Sequence, residues 1–138
     1  MNNNKFPILF LDLDGTLTTP PNWRDFNPDC VNNLKFIIKE TGAKIVVHST
    51  WRLWPNNQNR FLYLWGKYGF SLEDFWQFLP TYHNDKKLDI EYYIQSKGVE
   101  NFVIIDDEDY NFPPDKFVQP KNGLSFDDAK LAIEILNR

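Results

Sequence analysis

The chain is 138 residues long, 42% hydrophobic and 17% aromatic, which fits one globular domain, 1–138, with a core built on large rings. Its formal net charge of -4 excludes a protein held to nucleic acid by global charge, but not one with a local basic patch.

The opening "MNNNKFPILF" has no basic region, long apolar run or small-residue cleavage site, so no signal peptide is read there. No later run is long and apolar enough to cross a membrane, and a cytoplasmic protein is expected. A buried strand is predicted over about Ile8 to Asp12, followed by the turn-rich "GTLTTPPNWRDFNP". Asn27 and Pro28 supply a helix N-cap and a favoured first helical residue. That helix runs to about Thr41 with Val31, Leu34, Ile37 and Ile38 on one face, and Gly42 ends it. Cys30, the single cysteine, allows no internal disulfide. "AKIVVHST" reads as a central parallel strand, continuously apolar in its middle. "NNQNRFLYLWGKYG" sets Phe61, Leu64, Trp65 and Tyr68 at helical spacing, with Gly69 as the stop. After a loop, "KKLDIEYYIQSKG" gives a helix with Ile90, Tyr93 and Ile94 inward and Gly98 as its cap. "NFVIIDD" is the third clear strand, and "FPPDKFVQ" a turn with a short edge strand. "SFDDAKLAIEILNR" is the last helix, opened by a capping box of Ser125 and Asp128. This alternation predicts an α/β domain, a Rossmann-like parallel sheet flanked by helices.

The predicted strands end at Asp12, Ser49 and Asp106, and ligands bind at the carboxyl edge of open parallel sheets. With those strands adjacent, Asp12, Asp14, Asp106 and Asp107 converge. Acids so crowded repel one another unless a cation joins them, and oxygen-only ligands suit Mg²⁺. A carboxylate held beside Mg²⁺ can attack phosphorus and form an aspartyl-phosphate. Asp12 ends the strand and is the better nucleophile; Asp14, two residues on, can protonate the leaving oxygen and then activate water. The transferring phosphoryl group needs donors, namely the hydroxyl of Ser49 or Thr50 and the ammonium of Lys86 or Lys87. Plainer roles compete: either hydroxyl can cap the next turn, and either lysine can simply be solvated. Lysines at a helix start oppose its dipole, which favours a functional reason for one of them. His48 is expected to be a satisfied core residue, and His83 is assigned no role.

"DLDGT", the strand "IVVHS", a lysine before a helix and "VIIDD" stand in the order of the four motifs of the haloacid dehalogenase (HAD) superfamily, which the chain resembles over residues 8 to 107. The resemblance implies a Mg²⁺-dependent phosphatase with Asp12 as nucleophile and Asp14 as acid/base. It implies a metal set of Asp12, Asp14 through its backbone carbonyl, Asp107 in direct contact and Asp106 in support. Ser49 matches the phosphate-binding hydroxyl, with Thr50 as the fallback. Lys86 sits four residues before Ile90, as in the family's "KGxxI" pattern, whereas Lys87 stands where that pattern has glycine. The stretch "HSTWR" resembles the small, nearly capless phosphatase domains of RNA-repair proteins and the phosphatase half of polynucleotide kinase-phosphatases. Arg52 leaves directly from the predicted active strand, so it is read as clamping a phosphate or stacking on a base, the alternative being that it pairs with an acid and organises the site.

Specificity in the superfamily usually resides in a cap inserted after the first or second motif. Here Thr16 to Asn27 is too short for one, and Trp51 to Asp85 is mostly filled by one helix. A minimal cap or none is expected, at most a flap around Thr18 to Arg24, leaving a site open to large substrates. The expected function is therefore a Mg²⁺-dependent phosphatase acting on an accessible phosphate such as a nucleic-acid end. The alternatives are a small-molecule (nucleotide) phosphatase and a non-catalytic module that keeps the fold.

Overall fold

Every side chain of β1 (Ile8–Leu11) is buried, as in a strand covered by helices on both faces. The structure is a computed structural model and describes residues 6–83 and 85–138. β1 runs parallel to β2 (Lys44–Val47) on one side and to β4 (Phe102–Ile105) on the other. The edges are β3 (Phe75–Phe78) beside β2 and β5 (Phe117–Val118) beside β4, so the parallel sheet has the order β3-β2-β1-β4-β5. Helices α1 (Pro28–Thr41), α2 (Pro55–Lys67), α3 (Lys86–Lys97) and α4 (Phe126–Leu136) follow β1, β2, β3 and β5.

The alternation of the strands sorts the core into two layers. Leu9, Leu11, Ile45, Val47, Val103 and Ile105 face one side, packing with Leu34 of α1, Trp65 of α2 and Ala132 of α4. Ile8, Phe10, Val46 and Ile104 face the other, against Ile90 and Tyr93 of α3. Each such large side chain, fully buried, contributes roughly 1.5–3 kcal/mol. The chain winds outward from β1 to β3, then α3 carries it back over the opposite face to β4. Strand order therefore reverses between β1 and β4, which opens a crevice at their carboxyl ends.

Local signals set most boundaries. The Asn27 side chain accepts from the Asp29 amide, and Gly42 closes α1 with φ 69°. Asp85 caps α3 by accepting from the Leu88 amide, which makes Lys86 its first residue. Ser125 and Asp128 form a reciprocal capping box at α4. The segment after Gly69, expected to be a loop, contains β3. Its rings do not alternate cleanly because Phe75 and Phe78 pack edge-on against each other, 5.0 Å between centroids, and both meet Phe61. A register shift opposite Ile45 and Val46 further blurs its period. No helix among the described residues is long and apolar enough to cross a membrane.

Candidate active site

Asp12 leaves β1 into a tight turn whose Thr16, Leu17 and Thr18 amides all donate to the Leu13 carbonyl. Gly15 holds φ +85° there, and a Cβ on it would lie 2.2 Å from Asp107 Oδ2, so Asp107 presses directly on this turn. The Asp14 carboxylate is held from two sides, accepting from Thr18 Oγ1 at 2.8 Å and from Trp51 Nε1 at 3.2 Å. Across the crevice, fully buried Asp106 follows β4. Its Oδ2 lies 2.8 Å from His48 Nε2, and its Oδ1 accepts from the Glu108 amide at 2.9 Å. Lys86 Nζ bridges the two strand ends, 3.2 Å from both Asp12 Oδ1 and Asp106 Oδ2. Lys87 instead reaches toward Glu91 on its own helix, at 3.9 Å.

These groups share one electrostatic problem. Burial pushes the Asp12 pKa up to about 8; Lys86 opposes this and the Asp106 charge adds to it. Burial likewise raises Asp107, which lines the same cleft as Asp12. Burial would raise Asp106 too, but the His48 hydrogen bond, Lys86 and the Glu108 amide outweigh it and hold this carboxyl low. Burial keeps His48 below its ordinary value, so the imidazole is neutral, and its Nδ1 has no partner among the described residues. Burial would lower Lys86, yet Asp12 and Asp106 hold its ammonium above its usual range. Asp12, His48 and Asp106 bring ligand atoms within 4.8 Å of one another, a group able to hold a metal ion.

The second strand end supplies hydroxyls. Ser49 Oγ accepts from the Trp51 amide at 3.1 Å, capping the short 3₁₀ turn Thr50–Leu53. A hydroxyl that accepts this bond still has its own proton to donate. Thr50 is exposed beside it. Arg52 corrects the expectation of a phosphate clamp. It is only 6% exposed and turns away from the crevice. Nη1 donates to the Leu79 and Pro80 carbonyls, and Nη2 meets Asp89 Oδ2 at 3.0 Å. The other Asp89 oxygen accepts from the Tyr82 and His83 amides. Burial would raise Asp89, but those amides and Arg52 hold it low.

A cleft of about 250 Å³ collects Asp12, Asp14, Ser49, Thr50, Lys86 and Asp107 on its walls. Arg52 and Asp106 are absent from that lining; Asp106 backs it through Lys86. Trp23 and Tyr110 also line it, and neither was singled out as a site residue in the sequence. The Lys86 ammonium lies 5.3 Å from the centre of the Tyr110 ring. Asp89 was missed as well. Its signal is helical spacing, since Asp89 precedes Tyr93 by four residues on the face read as inward. His48 is buried as expected, but its partner is an acid of the site.

A Rossmann-like parallel sheet with acids after β1 and β4 and a lysine between them is the architecture of a HAD-type domain. The chain belongs to the family described as HAD domain in Swiss Army Knife RNA repair proteins, which it matches over residues 8–130. Membership of that family suggests phosphatase-type activity. No curated protein and no solved structure matches the chain.

Proposed function

We propose that the protein is a Mg²⁺-dependent phosphomonoester phosphatase, working through an aspartyl-phosphate on Asp12 and accepting an exposed phosphate such as a nucleic-acid end. The observation that carries this reading is the lysine bridge. Lys86 Nζ touches Asp12 and Asp106 at 3.2 Å, while Asp14 and Ser49 open onto the same cleft.

Asp12 and Asp107 are two carboxyls with raised pKa values that line one cleft, Asp107 lying beside a glycine that leaves no Cβ in the way. Acids crowded into one partly buried cleft favour a divalent cation, and an all-oxygen set suits Mg²⁺. Asp12, Asp107 and the Asp14 carbonyl would hold it. Asp106 already serves His48 and Lys86, which leaves it a supporting part. Bound there, the cation supplies positive charge that keeps Asp12 ionised and offsets phosphate charge.

Asp12 attacks phosphorus, and the bond from phosphorus to the leaving oxygen breaks. Asp14 gives that oxygen its proton. Asp14 then takes a proton from the water that attacks phosphorus, freeing inorganic phosphate and restoring Asp12. The hydroxyl of Ser49 or Thr50 and the Lys86 ammonium hold the phosphoryl oxygens. The RNA-repair family and the open cleft support a nucleic-acid end as substrate.

Hydrolysis of an aryl phosphate and of a phosphate-ended oligonucleotide tests this reading. Both reactions should need Mg²⁺, stop in excess chelator, and fall about a thousandfold or more in Asp12→Asn. Undiminished turnover in that variant would remove Asp12 as nucleophile.

A further inference from the structure

The catalytic cleft has a neighbour. A second cavity, about 420 Å³, lies on the far side of Trp23 and Asp107, which line both. Lys121, Asn122 and Gly123 form its outer wall. Resting on the phosphatase reading, we propose that this second lobe is a nucleotide subsite. In it Trp23 stacks on the base next to the reacting phosphate, and Lys121 pairs with the following phosphate.

Three features carry the assignment. The Trp23 indole is 46% exposed and has no ring partner among the described residues, although most rings of this chain pack on other rings. Lys121 is exposed and makes no ion pair among the described residues, so its charge is available. In a chain of net charge -4, a cation beside a cleft lined by acids is suited to a second anionic group. The wall is also rigidly placed. A Cβ on Gly123, at φ +85°, would come within 2.7 Å of Cys30 Sγ and Thr19 Cγ2. The Leu124 amide donates to the Thr16 carbonyl at 2.9 Å, inside the turn that carries Asp12 and Asp14. Lys121 and the acids are thus fixed to one loop system. A flat π-face, an amide side chain and a lone ammonium in sequence along a groove are what a single-stranded nucleotide end engages. A phosphopeptide has no base to stack.

The test compares Trp23→Ala, Trp23→Phe and Lys121→Gln on three substrates: an aryl phosphate, a phosphate-ended RNA tetranucleotide and a phosphopeptide. Separately, binding of the same RNA, labelled at its far end, is followed by anisotropy in an Asp12→Asn background. Trp23→Ala should lower kcat/KM on RNA roughly 5- to 150-fold more than on the aryl phosphate, with Trp23→Phe recovering most of the difference. Lys121→Gln should reduce the salt slope of RNA binding by about 0.7. Equal losses on all three substrates, or a phosphopeptide affected as strongly as RNA, would overturn the subsite. If no substrate is hydrolysed by the wild type, the phosphatase reading fails. RNA binding that still depends on Trp23 and Lys121 would then uphold the subsite, and binding indifferent to both would overturn it.

Discussion

At the residue scale, the raised pKa of Asp12 makes the metal-free protein sensitive to pH. An unfolded aspartate titrates near 3.8 and Asp12 in the fold near 8. Between those values the folded chain holds a proton that the unfolded chain has lost, so rising pH favours unfolding. Buried neutral His48 acts in the opposite sense below its ordinary 6.5, so the Asp12 effect is clearest from there up to about 8. In chelator, the melting temperature should fall across that window in the wild type, and less steeply in Asp12→Asn. Parallel curves would show that Asp12 carries no buried proton. Gly15→Ala makes the complementary case. Its Cβ would drive into Asp107, and its backbone would keep an unfavourable positive φ. The variant should therefore lose the Mg²⁺-dependent rise in melting temperature that ligand binding gives the wild type. An undiminished rise would place the metal away from Asp107.

At the element scale, Arg52 and Asp89 hold together the 3₁₀ turn after β2, the loop through Leu79 to His83, and α3. The first of these presents Ser49 and Thr50, and the last begins with Lys86. The pair is buried, so removing one partner strands the other's charge at a cost of about 3–5 kcal/mol. Arg52→Ala and Asp89→Ala should each lower the urea midpoint and reduce turnover of aryl phosphate and oligonucleotide in the same proportion. A loss confined to the oligonucleotide would return Arg52 to the substrate-contact role first read from "STWR". The pairing of Arg52 with Asp89 was not legible, because residue type and position after a strand do not reveal where a long side chain turns. The capped starts of α1 and α4 were legible, because Asn27-Pro28 and Ser125 with Asp128 act within one turn of chain. β3 was not, because its rings answer to Phe61 on α2 more than to strand alternation.

For the whole molecule, strand order explains both the site and its openness. The reversal between β1 and β4 gathers Asp12 and Asp106 about Lys86, from which they stand 74 and 20 residues away in sequence. The sequence announced that gathering because each strand run stops at a polar residue. The connection from β1 to α1 holds only small bridges, Asp14 with Thr18 and Thr19 with Asn22, and no inserted domain. With no domain inserted between β1 and α1 to cover the site, lengthening a phosphate-ended oligonucleotide from about four to about twenty nucleotides should change kcat by no more than roughly threefold. A steep loss with length would reveal a closing element.

The bond from Trp51 to Asp14 has a practical consequence. A chain with five tryptophans has five indole N–H groups. One of them donates at 3.2 Å to the carboxylate proposed to shuttle the proton. Its resonance in a proton–nitrogen correlation spectrum will move whenever a proton, a cation or a phosphate alters the charge on Asp14. The protein thus carries its own gauge of its proposed acid/base, readable by isotope enrichment alone, without an attached probe, chromogenic substrate or turnover.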